Sequence, residues 1–69
     1  MSARYEIVIA GNPGPVLLAA LGEFDLLPAP PGETRLVGTV VDQAALHGTL
    51  HRLQDLRVDL IEVRRLDST

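Results

Sequence analysis

The chain has 69 residues, a formal net charge of −3 and no cysteine, so it is long enough for one domain and has no disulfide to stabilise it. A mildly acidic chain with two aromatic residues lacks the basic surface and stacking platform of nucleic-acid binders, and no apolar run approaches the ~18 residues of a membrane span. We therefore expect a cytoplasmic protein, without a signal peptide, that binds neither nucleic acid nor membrane.

The first part of the chain predicts a strand, a loop and a short helix. Residues 4–10 alternate in a way typical of a strand. Residues 11–15, Gly-Asn-Pro-Gly-Pro, are dense in helix and strand breakers and predict a loop. Pro15 suits the first turn of a helix over residues 16–23, which is too short to be stable outside a tertiary context.

The second part predicts two or three further elements. Residues 24–27 are compatible with a short edge strand, because the prolines that follow exclude a central one; whether residues 24–30 form a strand stays open. The β-branched residues 34–41 predict a strong strand. Asp42 is a good N-cap for a helix over residues 43–56 with a leucine stripe, and residues 58–65 predict the last strand.

This order predicts an α+β fold, a ferredoxin-like βαββαβ sandwich over residues 1–69, with a four-stranded antiparallel sheet and both helices on one face. The other sheet face then has no covering layer within the chain. Four charged residues and three candidate interface residues are expected to share it: Glu6, Arg35, Glu62 and Arg64, with Val8, Val37 and Thr39. That face is either a solvated surface or a half-apolar association surface.

Small residues on the second helix indicate another candidate interface. Ala44, Ala45 and Gly48 form a patch, and a glycine inside a helix costs about 1 kcal/mol relative to alanine. Either this edge packs against Ala19 and Ala20 of the first helix, or Ala44 and Gly48 form a helix-mediated dimer contact.

No residue pattern predicts catalysis or a cofactor. His47, His51 and Asp55 lie in one row of the second helix, but Gly48 stands where the general base of a zinc-protease helix is needed, and we interpret the row as a polar helix face. No nucleophile has a base at a supporting spacing. We therefore predict no metal, no cofactor and no enzyme activity.

The loop before the first helix is a candidate ligand site. Free N–H groups at a helix start favour an anion or a carboxylate, which makes Gly11, Asn12 and Gly14 the candidate residues. Pro13 and Pro15 each remove one donor, so simple turn chemistry is the alternative.

Two resemblances to known families accompany these patterns. Residues 40–56, VVDQAALHGTLHRLQDL, resemble the C-terminal half of short stand-alone bacterial proteins, largely uncharacterised, that carry V-x-D-Q-A-A-L-H-G-x-L-x-R-x-x-D-L. That group has a glycine where this chain has Arg57, so we expect its helix to end differently. Asn12-Pro13-Gly14 followed by Leu17-Leu18-Ala19 is similar to the D-R-P-G-L-L-A loop of the ACT domain, a βαββαβ regulatory module. That likeness implies amino-acid binding at the loop and association through sheet edges or helices.

Three hypotheses follow. The leading one is a non-enzymatic interaction module that self-associates as a homodimer, with a different protein as a further possible partner. The second is an ACT-like sensor of a small amino acid. The third is a cofactor-free small enzyme of the dimeric ferredoxin-like type, which needs polar and aromatic residues in a cavity and finds few in this chain.

Overall fold

The computed structural model describes residues 2–66. Strands and helices alternate in the predicted order β-α-β-β-α-β, and they have the following bounds: β1 Ala3–Ala10, α1 Pro15–Ala20, β2 Phe24–Leu27, β3 Glu33–Val40, α2 Gln43–Asp55 and β4 Leu60–Arg65.

The four strands form one antiparallel sheet in the order β2-β3-β1-β4. Strands β1 and β3 occupy the centre and pair along their full lengths, from Ala3 opposite Val40 to Ala10 opposite Glu33. Residues 24–27, where the sequence leaves a strand open, form one at an edge of the sheet, the position that the following prolines allow, and β4 forms the other edge. The α+β class, with a four-stranded antiparallel sheet and two helices, is therefore confirmed.

The hydrophobic core lies on a single face of this sheet. Alternate residues of β1 point into it, among them Ile7 and Ile9, which are 0% and 1% exposed. Leucines of both helices and of the C-cap of α1 belong to the same cluster: Leu17, Leu21, Leu46 and Leu53. Both helices therefore cover the face that carries the odd-numbered residues of β1.

A glycine in β3 makes room for an aromatic side chain in the core. Gly38 lies directly opposite Tyr5 of β1 on one side and directly opposite Phe24 of β2 on the other. A Cβ atom at Gly38 would lie 2.8 Å from Cδ2 of Phe24 and 3.0 Å from the backbone oxygen of Glu23. The Phe24 ring thus occupies the space that a side chain at position 38 would fill.

We expect Gly38→Ala to destabilise the protein by about 1–3 kcal/mol, because the methyl group forces the ring of Phe24 and the adjoining backbone to shift. The matched control is Gly48→Ala in α2, where a Cβ atom meets nothing within 4 Å. That change should raise stability by about 1 kcal/mol through helix propensity. Equal effects of the two substitutions in denaturant unfolding would contradict this account.

Helix α2 is closed by a side-chain cap at its N-terminus and by backbone hydrogen bonds at its C-terminus. The Asp42 side chain accepts a hydrogen bond of 2.8 Å from the Ala45 N–H, as its predicted capping role requires. At the C-terminus, Val58 N–H donates to the Leu53 carbonyl and Arg57 N–H donates to the Gln54 carbonyl. These two bonds define a Schellman motif, which needs a left-handed residue after the C-cap.

Arg57 adopts this left-handed conformation, with φ at 57°. The expectation that the helix ends differently without a glycine is therefore wrong. Val58, which follows Arg57, packs partly buried against the core. That apolar contact and the two closing hydrogen bonds explain why the backbone keeps the turn in spite of the steric cost at position 57.

Arg57→Gly should stabilise the protein by about 1 kcal/mol, since glycine adopts positive φ without the Cβ clash. Arg57→Ala is the control, because it removes the same charge and keeps the Cβ atom. Thermal unfolding of the three proteins distinguishes the two effects: an alanine variant as stable as the glycine variant would assign the gain to charge instead.

Candidate functional site

The sheet face opposite the helices, called the open face below, is built by the strand registers. Residues opposite one another in adjacent strands point to the same face, so even-numbered residues of β1 align with odd-numbered residues of β3. The registers place these central side chains together: Glu6 and Val8 of β1, Arg35, Val37 and Thr39 of β3, and Glu62 and Arg64 of β4.

Glu6 is the centre of the open face and is only 4% exposed. The Arg35 guanidinium donates to its Oε2 atom through Nε, at 3.1 Å, and through Nη2. Arg64 is directly opposite in β4 and brings its Nη2 atom to 3.3 Å from Oε1 of Glu6. One carboxylate thus joins the two strands that flank β1 through their arginines.

The two arginines hold the pKa of Glu6 below its ordinary value. The hydrogen bond from Arg35 has the largest influence, burial opposes it, and the positive charges of Arg35 and Arg64 add to the lowering. Glu6 is therefore a carboxylate whenever the protein is near neutral pH, and its charge is compensated on both sides. Glu6, Arg35 and Arg64 therefore form a structural ion cluster on the sheet.

The charged layer changes what the open face offers to a partner. Val8 and Val37 lie on this face, as predicted, but they are only 6% and 5% exposed, whereas Thr39 is exposed. The two valines therefore present little apolar area to another molecule. The interface role of Val8, Val37 and Thr39 stays a prediction, and the outer surface of the open face is polar.

The small residues of α2 line a groove of about 540 Å³ between this helix and the adjoining ends of β2 and β3. Ala44, Gly48 and Thr39 all border it, so three of the candidate interface residues come together. Gly48 is exposed, with open space beside its Cα, so the expectation that it packs against Ala19 and Ala20 is wrong. The two helices are instead joined by Arg52, whose Nη1 atom donates to the Ala20 carbonyl at 2.8 Å.

The predicted polar row of α2 faces solvent. Nδ1 of His51 lies 3.4 Å from Oδ2 of Asp55, and both side chains are more than two-thirds exposed. Within residues 2–66, no three His, Cys, Asp or Glu side chains are grouped so as to hold a metal ion. None of the helices in that part of the chain has the length and apolar character needed to cross a membrane.

The candidate ligand loop is tied to the sheet by its backbone. Gly11 has φ at 84°, its N–H donates to the Gly32 carbonyl, and its own carbonyl accepts the Thr34 hydroxyl at 2.7 Å. Asn12 and Gly14 are exposed. Both backbone polar groups of Gly11 are thus already engaged, which leaves the ligand role of this loop a prediction.

Strand β4 exposes apolar side chains that the sequence interpretation did not single out. Leu60 and Ile61 are 47% and 51% exposed, and Leu66, at the end of the strand, is 38% exposed. The signal in the sequence is the adjacent pair Leu60-Ile61, since two consecutive apolar residues in a strand cannot both face the core. Among the strands that the structure describes, β4 borders β1 alone.

Residues 4–64 match a family described as a domain of unknown function, DUF8691. The match covers most of the chain, and the protein therefore belongs to this family. No curated protein and no solved structure matches the chain.

The ion cluster predicts acid-sensitive stability. Because the pKa of Glu6 is lower in the folded than in the unfolded protein, its stabilising effect is complete above the ordinary glutamate pKa of about 4.3 and disappears as the pH falls through the lower folded value. Glu6→Gln should lower the melting temperature at pH 7. The gap between the melting temperatures of this variant and of wild type should then shrink as the pH falls into the acid range.

The control for this measurement is Asp25→Asn, which removes an exposed carboxylate of β2 from the same face, outside the ion cluster. Its melting temperature should stay close to that of wild type at pH 7. A pH profile of Glu6→Gln that runs parallel to the wild-type profile throughout the acid range would contradict the assigned role of Glu6.

Proposed function

We propose that this protein is a non-enzymatic interaction module that self-associates as a homodimer, built on a ferredoxin-like sandwich. The βαββαβ element order, with β1 and β3 in the centre of the sheet, supports this fold assignment. The functional proposal is carried by one observation, the exposure of large apolar side chains over a small domain. Within residues 2–66 these side chains are Val16, Leu18, Leu26, Leu27, Val41, Leu56, Leu60, Ile61 and Leu66.

Size makes this exposure significant. A domain of this length buries only about 60% of the surface of its unfolded chain, so its own core leaves a narrow margin of stability. Covering this apolar surface with a partner removes it from water, which favours association against the freedom that two joined copies lose. Association is therefore a favourable way to use the apolar side chains that the fold leaves at the surface.

The geometry favours a binding role over the two alternatives. The buried carboxylate Glu6 is neutralised by two arginines, which leaves it poorly suited to acid–base work. The groove beside α2 is lined mainly by small and apolar residues, among them Ala44 and Gly48, which suit close packing. For the amino-acid sensor, the support is the resemblance of residues 12–19 to the ACT loop, and no contact within residues 2–66 adds to it.

The proposal predicts a dimer of the 7.4 kDa chain that persists on dilution through micromolar concentrations. Native mass spectrometry of the purified protein measures the oligomeric state and detects any retained ligand in the same spectrum. A bare dimer supports the interaction module. A monomer at these concentrations would contradict self-association, and a dimer with a discrete small-molecule adduct would favour the sensor.

A further inference from the structure

The outer edge of β4 has backbone groups that no strand within residues 2–66 covers. The Leu66 N–H donates to the Arg4 carbonyl at 2.9 Å, so Leu66 directs its backbone polar groups towards β1. In an antiparallel ladder this direction alternates along the strand. Arg64 therefore also bonds towards β1, whereas Val63 and Arg65 direct their N–H and C=O groups outwards.

This edge is suited to pairing with another strand. It contains no proline, and its only irregularity is the bulge near Ile61, which leaves the stretch from Glu62 to Arg65 regular. The opposite edge, β2, has four residues, is followed directly by Pro28, and carries Asp25 with no basic residue. Because Asp25 is the one charged residue of β2, two copies of this strand can form no ion pair across a twofold axis.

The charges on β4 are complementary to those of the same strand in antiparallel orientation. A twofold axis through Val63 places each Val63 opposite its copy, and each Glu62 opposite Arg64 of the other copy. Val63 presents its backbone groups outwards, so the central pair exchanges two hydrogen bonds. The opposed Glu62 and Arg64 point to the same side of the joined sheet, as an ion pair requires.

The neighbouring symmetric registers are disfavoured by charge. A twofold axis through Glu62 places two glutamates opposite each other, and an axis through Arg64 or Arg65 places two arginines opposite each other. Like charges directly opposite each other destabilise an antiparallel pair. Among these registers, the axis through Val63 satisfies both the outward backbone groups and the charges.

We propose that a second copy of this chain pairs antiparallel with β4 about Val63, which joins the two sheets into one of eight strands with all helices on the same side. This inference rests on the proposed self-association and specifies its surface. The side chain of Arg64 is 59% exposed while it contacts Glu6, so it remains accessible to Glu62 of the second copy. The ion cluster of each open face then continues across the boundary between the copies.

Hydrogen–deuterium exchange on the unmodified protein tests this pairing. At concentrations where native mass spectrometry gives a dimer, the amides of Val63 and Arg65 should exchange slowly, although neither is bonded to β1. The exposed Asn12 amide is the fast-exchanging reference. A dimer in which the Val63 and Arg65 amides exchange as fast as Asn12 would overturn the β4 pairing and leave the self-association proposal intact, whereas a monomer would overturn both.

A charge exchange gives an independent test with an internal control. Glu62→Arg alone places two arginines opposite each other in each flanking pair, and Arg64→Glu alone places two glutamates there, so each variant should lose dimer affinity by about tenfold or more. In a mixture of the two variants, each homodimer opposes like charges at both flanking pairs, whereas the heterodimer opposes an arginine to a glutamate at both, as wild type does, and should form preferentially.

The double variant Glu62→Arg with Arg64→Glu provides a second rescue, because it exchanges the two charges within one chain and restores both ion pairs in the homodimer. Its dimer affinity should be close to that of wild type. Circular dichroism of each variant establishes that it is folded. A folded double variant that dimerises no better than the two single variants would overturn the proposed register.

Arg64→Glu removes a partner of Glu6, so this variant could fail to fold. A comparison of two substitutions at Glu62 tests the register without it. The decisive pair is then Glu62→Arg against Glu62→Gln, both of which leave Arg64 in place. The arginine variant should dissociate at a higher concentration than the glutamine variant, since it adds repulsion as well as removing attraction. Equal dissociation of these two variants would also overturn the register.

Discussion

The pairing of β1 with β3 on one side and β4 on the other is the constraint on which the rest of the structure depends. Because β1 is central, its odd-numbered residues enter the core and its even-numbered residues form the middle of the open face. A shift of one residue would exchange Ile7 with Glu6, placing a carboxylate under the helices and an isoleucine in the ion cluster. Apolar burial and charge pairing thus specify the same register.

Glu6 shows how a central strand can carry a charged residue without loss of order. Its neighbours in space, Arg35 and Arg64, come from positions far along the chain, and the strand registers bring them within reach. The stems of these long side chains also cover apolar surface, as arginines commonly do. The open face consequently has a buried lower layer, with Val8 and Val37, beneath a charged outer surface.

Local patterns were sufficient to predict much of this fold. Alternation gave the faces of β1, the capping aspartate gave the start of α2, and the prolines after Leu27 gave the edge position of β2. The burial of Val8 and Val37 could not be predicted, because it depends on where Arg35 and Glu6 meet across two strands. The space beside Gly38 also depends on a residue of another strand, Phe24. At Arg57, tertiary packing of Val58 overrides the local preference for glycine.

Two features of the candidate surfaces are locally unfavourable. Gly48 weakens α2 while its surroundings leave room for a side chain, and Leu60-Ile61 places apolar area in solvent. Neither feature helps the isolated chain to fold. Positions at which a sequence departs from local preference without a gain in the monomer are typical of sites retained for binding.

The difference between the two sheet edges determines how far assembly can proceed. A sheet with two equivalent free edges adds further copies without limit and grows into a fibre. Here the end at β2 is short, acidic and followed by Pro28, whose nitrogen has no hydrogen to donate. If two copies join at β4 as proposed, β2 is left at each outer end, and growth would terminate at two copies.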